Sequence, residues 1–303
     1  MEGSGIVSDT GGRARYSYGG DDHLFVEVSE EMSLLAYFKA IAMTRALAER
    51  RLPGIVDICS ANASFQVLFD PDDLHPRALR EIVEEIEDSV GDISAYRFDT
   101  RVIEVPVLYD DPWTNETLLR FRDRHQEPEM TDLEYGAEVN GFDSAEDFIA
   151  AHHGSPWFTS MVGFVAGLPF LYQMVERERQ LQVPKYLRPR TDTPALTIGH
   201  GGCFGCIYSV RGAGGYQMFG ITPLPIYDPR QEHAGFDGAL VLFQPGDIVK
   251  FTRIDRARYD ELRGQVEAGT VERRVAPLTF ELDRFLADSD AYNTQVTEAL
   301  DGS

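Results

Sequence analysis

Between residues 199 and 215 the chain reads Gly199-His200-Gly201-Gly202-Cys203-Phe204-Gly205-Cys206-Ile207-Tyr208, then Gly212-Ala213-Gly214-Gly215, with Tyr216-Gln217 following. Seven glycines in seventeen residues let backbone approach a ligand closely and bare its N–H groups. The same glycines also suit a tight β-hairpin whose turns need positive φ, and on residue types alone the hairpin is the simpler reading. His200-x-x-Cys203-x-x-Cys206 has the spacing of metal ligands. A structural zinc needs four ligands and a catalytic one three plus water, and no fourth candidate is near in sequence. The two thiols are therefore read as inert turn residues, with no metal expected. No GxxxxGK[ST] loop, Rossmann glycine fingerprint, HExxH or GxSxG occurs, so any ATP chemistry falls to another subunit.

Composition narrows the partners. Fifty acidic against 28 basic residues give a formal charge of −22 over 303 residues. Such a surface repels phosphate backbones and anionic lipid headgroups, which excludes general nucleic-acid and membrane-surface binding. Only Lys39, Lys185 and Lys250 are lysines; a salt-rich cell interior and a plain arginine bias both account for this. Three cysteines, Cys59, Cys203 and Cys206, are no disulfide framework and point to a cytoplasmic protein. The stretch 1–12 is Gly- and Ser-rich and is read as no secretory signal. The most apolar window, Met161 to Met174, falls short of the roughly 20 residues a span requires.

The elements that must carry these residues follow from periodicity. Leu24–Val28, Ile55–Cys59, Ser64–Phe69 and Val102–Leu108 predict strands. Ser33–Arg51 and a stripe from Leu79 to Val90 predict helices. The order β-α-β-β-α-β is the split βαβ, ferredoxin-like pattern. Helices are expected over Trp113–Gln126, Thr131–Val139 and from Ser144, with His152-His153 closing the last. From Trp157 to Arg253 short β-rich runs predict a small barrel or sandwich: Ala195–Ile198, Ile207–Val210, Gln217–Phe219, Pro225–Tyr227, Leu240–Phe243 and Ile248–Ile254. The last fifty residues read as charged helix, Arg256–Glu267 and Phe280–Ala287.

Several segments, in order, resemble one family. They are Gly20-Asp21 before the first strand, Pro53-Gly54-Ile55-Val56-Asp57, Asp70-Pro71, Val105-Pro106-Val107, Gly163-Phe164-Val165-Ala166-Gly167-Leu168-Pro169, Pro189-Arg190 with Thr193-Pro194, Ile207-Tyr208, Gly214-Gly215-Tyr216-Gln217, and Gln244-Pro245-Gly246-Asp247. In order and spacing the chain resembles the first half of the urea carboxylase carboxyltransferase domain. That family also includes allophanate hydrolase subunit 1, the B subunit of 5-oxoprolinase and KipI-like proteins. Asp111-Pro112-Trp113-Thr114 and the extension past Phe251 are similar to the urea carboxylase branch. Ala166, Ala213 and Ile221 depart from the family pattern.

The resemblance implies an α+β chain: a ferredoxin-like domain over 1–110, a helical connector over 111–156, a cyclophilin-like β-barrel over 157–255 and a helical extension over 256–303. It implies half of a biotin-dependent carboxyltransferase that is inactive alone. Biotin would arrive on a carrier protein. ATP would be used by a partner biotin carboxylase, and a homologous second-half subunit would complete the site. The acceptor would be urea or a related small amide. The alternatives are a subunit of an ATP-dependent 5-oxoprolinase-type hydrolase and a KipI-like sensor-kinase inhibitor. Arg190 and Tyr208 are the expected catalytic residues. Gly214, Gly215, Gln217, His200 and Phe164 are the expected substrate contacts, at a barrel mouth facing the partner.

Overall fold

The computed structural model describes residues 12–236 and 238–302; apart from Gly12, the amino-terminal stretch read as non-secretory lies outside them. Two units emerge. One runs to Phe98 and takes in Glu176–Glu178 and Thr279–Ser289; the other comprises Asp99–Val175, Arg179–Leu278 and the residues from Asp290.

The first unit holds β1 (Arg15–Gly19), β2 (His23–Glu27), α1 (Leu34–Glu49), β3 (Ile55–Ser60), β4 (Ser64–Phe69) and α2 (Pro76–Val90). Its sheet is antiparallel in the order β1-β2-β4-β3. Alternation sends Leu24 and Val26 of β2, and Phe65, Val67 and Phe69 of β4, to one face. There they pack on Met43 and Leu47 of α1 and Leu79, Val83 and Ile86 of α2. The split βαβ expectation needs one correction. The strand beside β2 is β1, from ahead of the pattern, whereas Val102–Leu108 belongs to the second sheet. β1 is short of apolar residues because only one of its five positions is even partly buried, so no alternation marks it. A buried ion pair anchors it. Lys39 Nζ donates to Glu87 Oε1 at 2.7 Å, and Glu87 also accepts from Ala14 N and Tyr16 Oη. Burial would raise the Glu87 carboxyl, but these donors hold it below its ordinary range. α1 is also buried nearly all round rather than along one stripe.

The second unit opens with β5 (Arg97–Tyr109), which starts just inside the first, then α3 (Pro112–Arg120), α4 (Asp132–Val139) and α5 (Ala145–Gly154). Each helix start is capped as its sequence dictates: Asp111 accepts from Trp113 N and Thr114 N, Thr131 and Glu134 form a capping box, and Ser144 accepts from Asp147 N. The strands β6 (Trp157–Val162), β7 (Pro169–Gln173), β8 (Arg190–Thr193), β9 (Thr197–Gly201), β10 (Phe204–Ile207), β11 (Gly212–Gly214), β12 (Gln217–Ile221) and β13 (Ile248–Arg253) follow. The chain ends with α6 (Arg256–Glu267), β14 (Val275–Glu281), α7 (Leu282–Ala287) and α8 (Ser289–Glu298).

The large sheet runs β12-β9-β10-β7-β6-β13-β5-β14, and β12 also pairs with β5. That second pairing closes seven strands into a ring. Its interior is filled by Ile103, Val105, Trp157, Leu171, Ile198, Ile207, Phe219, Val249 and Phe251. β8 and β11 form a separate two-stranded ribbon. Two expected strands, Pro225–Tyr227 and Leu240–Phe243, make only the single bridge Tyr227↔Val241. Their apolar character has another cause: Ile226, Leu242 and Phe243 belong to the ring's interior cluster. The carboxy-terminal region is not all helix as its charge suggests, because β14 adds to the edge of the large sheet. It carries Pro277, which an edge strand tolerates. Among the described residues no helix is long and apolar enough to cross a membrane.

Ring closure depends on Gly220. It pairs with Tyr109 across the seam, and a Cβ there would lie 2.5 Å from the Leu108 carbonyl oxygen and 2.9 Å from Tyr109 Cα. Both obstacles are backbone and cannot swing aside. Gly220→Ala is expected to cost about 3 kcal/mol, read as a lower urea midpoint with an unchanged m-value.

Candidate functional site

A cavity of about 390 Å³ lies over the wall formed by β7 and β10, beneath the β8–β11 ribbon. Pairing explains its face. Cys206 sits opposite Phe170 and Gly205 opposite Leu171 and His200. Adjacent residues on a strand point to opposite faces. Leu171 and Ile207 therefore fill the ring, whereas Phe170, Cys206 and Tyr208 face outward into the cavity. The cavity-lining residues expected at a barrel mouth thus lie on the outer wall.

Tyr208 forms the floor, 4% exposed. Its oxygen accepts from Tyr216 N at 3.3 Å. Burial pushes its pKa up, and the nearby Arg190 guanidinium offsets this only in part, so the phenol is protonated at neutral pH. Gly214 is forced to be glycine: a Cβ there would sit 2.4 Å from Tyr208 Oη. Gly215 differs. Its φ is not positive, and a Cβ would meet nothing closer than Pro189 at 3.8 Å. Of the two conformational roles open to Gly215 in the sequence, bare backbone beside a cavity is the one realised. Phe164, 71% exposed, stands at the rim with φ +69°, strained for an aromatic residue. It is part of the Gly163–Gly167 turn that leads into β7.

The structure thus brings together Tyr208, Gly214, Gly215 and Phe164. The other three expected site residues do not line the cavity. Arg190 is fully buried behind it; its Nε donates to Thr193 Oγ1 at 3.3 Å and its guanidinium lies 4.4 Å from the Tyr186 ring centroid. Gln217 is buried and donates to the Pro184 carbonyl at 2.9 Å and to Gln126 Oε1 at 3.2 Å. It therefore holds the segment carrying Lys185. His200 faces the ring interior against Trp157 and Phe219, with Nε2 within 3.1 Å of the Leu181 carbonyl. The pleat sends His200 and Cys206 to opposite faces, so the His-x-x-Cys-x-x-Cys spacing does not converge. Among the described residues no three His, Cys, Asp or Glu side chains form a metal-holding group. Burial raises both the Cys203 and Cys206 thiols, which makes them poor nucleophiles. His152, expected to cap a helix, instead shares a hydrogen bond between Nδ1 and Tyr109 Oη, 2.9 Å long, inside the ring.

Two contributors escaped the sequence. Lys185 is the cation on the cavity wall, its Nζ 5.0 Å from the Tyr216 ring centroid. Its rarity was a usable signal: of the three lysines, Lys39 is paired with Glu87 and Lys250 donates to the His153 and Phe251 carbonyls. Asp132 had no signal beyond a helix first turn. It is buried, accepting from Tyr186 Oη at 2.7 Å and Met218 N at 2.5 Å. Burial raises its carboxyl against those donors and Arg190. Asp132, Tyr186 and Arg190 make a fixed polar layer behind Tyr208.

The cavity offers aromatic and aliphatic walls, one cation and an open stretch of backbone. The family described as "Carboxyltransferase domain, subdomain C and D" matches residues 14–236. The chain belongs to this family. It is similar to the B subunit of 5-oxoprolinase from Bacillus subtilis, 26% identical over 248 residues, which covers 79% of this chain and 92% of that protein. It is also similar to urea amidolyase of Saccharomyces cerevisiae, 22% identical over 300 residues, 98% of this chain but only 16% of that protein. The solved urea amidolyase of K. lactis superposes with a TM-score of 0.81 at 20% identity, over 98% of this chain and 18% of that one. The chain therefore spans most of one relative and about a sixth of the other. The shared architecture is a mixed α/β one with large sheets, as in the urea carboxylase structures.

Gly214→Ala is expected to displace Tyr208 and cost about 2 kcal/mol, whereas Gly215→Ala should leave the melting temperature nearly unchanged. Acid should also weaken the ring. Burial pushes His200 down to about 4 from 6.5, and His152 well below 6.5. Below pH 6.5 the unfolded chain takes up protons that the folded chain refuses, so stability is lost as pH falls toward 4. For His200 alone the loss reaches about 2 kcal/mol by about pH 5. Urea midpoints between about pH 7 and 5 should fall less steeply in His200→Gln.

Proposed function

We propose that this chain is one half of a biotin-dependent carboxyltransferase that passes a carboxyl group to urea or a related small amide. The observation that carries the reading is reach. The similarity to urea amidolyase extends over 98% of the chain, including the segment past Phe251, whereas that to the B subunit of 5-oxoprolinase covers 79%. In this reading the sheet β1–β4 with α1 and α2 is the ferredoxin-like domain within 1–110, and the ring, whose strands fall within 157–255 except for β5, is the cyclophilin-like barrel. The stretches 111–156 and 256–303 are the connector and extension. Three free thiols, Cys59 exposed among them, suit a cytoplasmic setting.

The residues present fit a biotin headgroup: its saturated sulfur ring matches the Phe170 and Tyr216 rings, its polar ureido ring the bare Gly214-Gly215 backbone, and the cation of Lys185 matches a carboxylate. Biotin on its carrier, held by Phe170, Tyr216 and Lys185, would supply an activated carboxyl group. Lys185 neutralises the incoming carboxylate at the rim. Phe164 and Phe170 exclude water from the wall. Tyr208, kept protonated by burial, donates its phenolic proton as a hydrogen bond to oxygen on which charge develops. Arg190 acts through Tyr208, orienting it and keeping it polarised. The bare Gly214-Gly215 backbone lets the acceptor lie within attack distance. The second-half subunit closes the open side, and ATP is consumed by the biotin carboxylase. A second reading, the B subunit of an ATP-dependent 5-oxoprolinase, is favoured by the 92% coverage of that relative.

The test is reconstitution. Alone, the chain should show no urea-dependent incorporation of labelled bicarbonate. Adding the second-half subunit, biotin carboxylase and carrier should restore it. Gly215→Ala and Lys185→Met should fold, assemble and turn over at least about tenfold more slowly. Robust activity from the isolated chain would contradict the split site. Hydrolysis of 5-oxoproline by the mixture without biotin would establish the second reading.

A further inference from the structure

The second unit carries another concavity, of about 660 Å³, between α3, the loop before β9, and α6. Its walls are unlike the rest of this acidic chain. Arg120 ends α3, Arg211 precedes β11 and Arg263 lies on α6. Arginines from three separate elements thus converge on one space, which Glu116 of α3 and Asp260 of α6 also line. Asp260 is already engaged, accepting from Arg256 Nε at 2.8 Å. The floor is Trp113 and Tyr259, ring centroids 5.2 Å apart. Trp113 belongs to the Asp111-Pro112-Trp113-Thr114 segment, to which the carboxyl-transfer reading gives no task.

Three features mark a prepared site rather than a chance gathering of surface charge. First, Arg120 and Arg211 share one carboxylate. Asp192 accepts from Arg120 Nη2 at 2.9 Å and from Arg211 at 2.6 and 2.7 Å. The pair hold Asp192 down at about 2, so it is ionised at every working pH. One carboxylate fixes two guanidiniums and neutralises one. Each guanidinium has five donors in a rigid fork, so most of their N–H groups are left for another acceptor. Second, Arg263 is held only loosely, 3.5 Å from Glu267. Third, Leu196 in the same wall has φ +67°. This is an unfavourable backbone for a leucine. It is held by Leu196 N donating to the Tyr208 carbonyl and Thr222 N donating to the Leu196 carbonyl. Strain of this kind gathers where a wall must keep a particular shape for a ligand.

We propose that this cleft binds a small oxyanion, phosphate or carboxylate, carried on a flat apolar or aromatic body. The anion would take the outward N–H groups of Arg211 and Arg263 in paired hydrogen bonds. The flat body would lie against Trp113, whose other neighbour is the Arg256 guanidinium, 4.8 Å from its ring centroid. The site is distinct from the cavity over β7 and β10. The β8–β11 ribbon links them: Gly214 pairs with Arg190 at one end, and Gly212 pairs with Thr193 at the end nearest Arg211. An occupant of the cleft would therefore bear on the ribbon that roofs the other cavity.

The two tryptophans provide the readout. Trp157 is fully buried in the ring, so a ligand in the cleft changes the emission of Trp113 alone. The full chain would be titrated at low salt with phenyl phosphate, benzoate and inorganic phosphate. Saturable quenching by phenyl phosphate or benzoate is expected, and the tighter of the two identifies the oxyanion. Arg211→Gln with Arg263→Gln should weaken it at least about tenfold while the circular dichroism is unchanged. In Trp113→Phe the quench should vanish while ligand still raises the melting temperature. No saturable quench in the wild type, or the same affinity in the double variant, would overturn the site. Inorganic phosphate binding as tightly as phenyl phosphate would overturn the role of the flat body.

Discussion

The contact on which the second unit depends is backbone against backbone at the β12–β5 seam. Gly220 lets the Leu108 carbonyl and Tyr109 approach closely enough for the last pairing of the ring to form. An open sheet would leave edge groups unpaired and its apolar inner face wet. Closure fills the interior with Trp157, Phe219 and Phe251, and it fixes which residues face outward. The cavity over β7 and β10 exists because that inside–outside division is rigid.

Around the cavity the same theme recurs at smaller scale. Side chains are positioned by what glycine leaves out. Tyr208 lies in the space that a Cβ at Gly214 or Gly199 would take, 2.4 and 2.9 Å away, and Tyr216 crosses the space beside Gly201. Three glycines thus hold two rings in place. Behind them Tyr186 donates to the buried Asp132 carboxylate, and the Arg190 guanidinium lies over the Tyr186 ring with both Nη atoms buried and lacking a hydrogen-bond partner among the described residues. The Asp132 carboxylate, fixed by two donors, holds Tyr186 in place, and with it the Arg190 guanidinium.

The electrostatics set the character of both concavities. A chain of net charge −22 repels anions at long range, and salt shortens that reach to about 10 Å or less. Anion recognition must then be local. Lys185 at one cavity and Arg120, Arg211 and Arg263 at the cleft place cation density within contact distance. Any selectivity of these concavities for an oxyanion would consequently be short-ranged and geometric. Encounter with a negatively charged ligand is correspondingly slower than at a basic surface.

Local pattern determined a good deal. The helices α1, α2, α4 and α5 were legible from local caps or apolar repeats, although α1 is buried nearly all round rather than along one stripe, and β3, β4 and β13 because alternation or β-branching marks them. The order of short motifs carried the family, and the glycine-rich stretch marked the cavity, since backbone approach has a residue signature. Tertiary structure decided the rest. β1 joined the first sheet without an apolar pattern because a buried Lys39–Glu87 pair fastens it. Pro225–Tyr227 and Leu240–Phe243 were apolar for plugging the ring, not for pairing. His200 and Cys206 were separated by the pleat although their spacing suggested convergence. Lys185 reached the cavity through a loop with no periodicity of its own, and Asp132 at the start of α4 came under the influence of Arg190 on the distant β8. Sequence records local conformational preference and burial; which buried faces meet, and which polar groups find one another across them, is settled only when the ring closes.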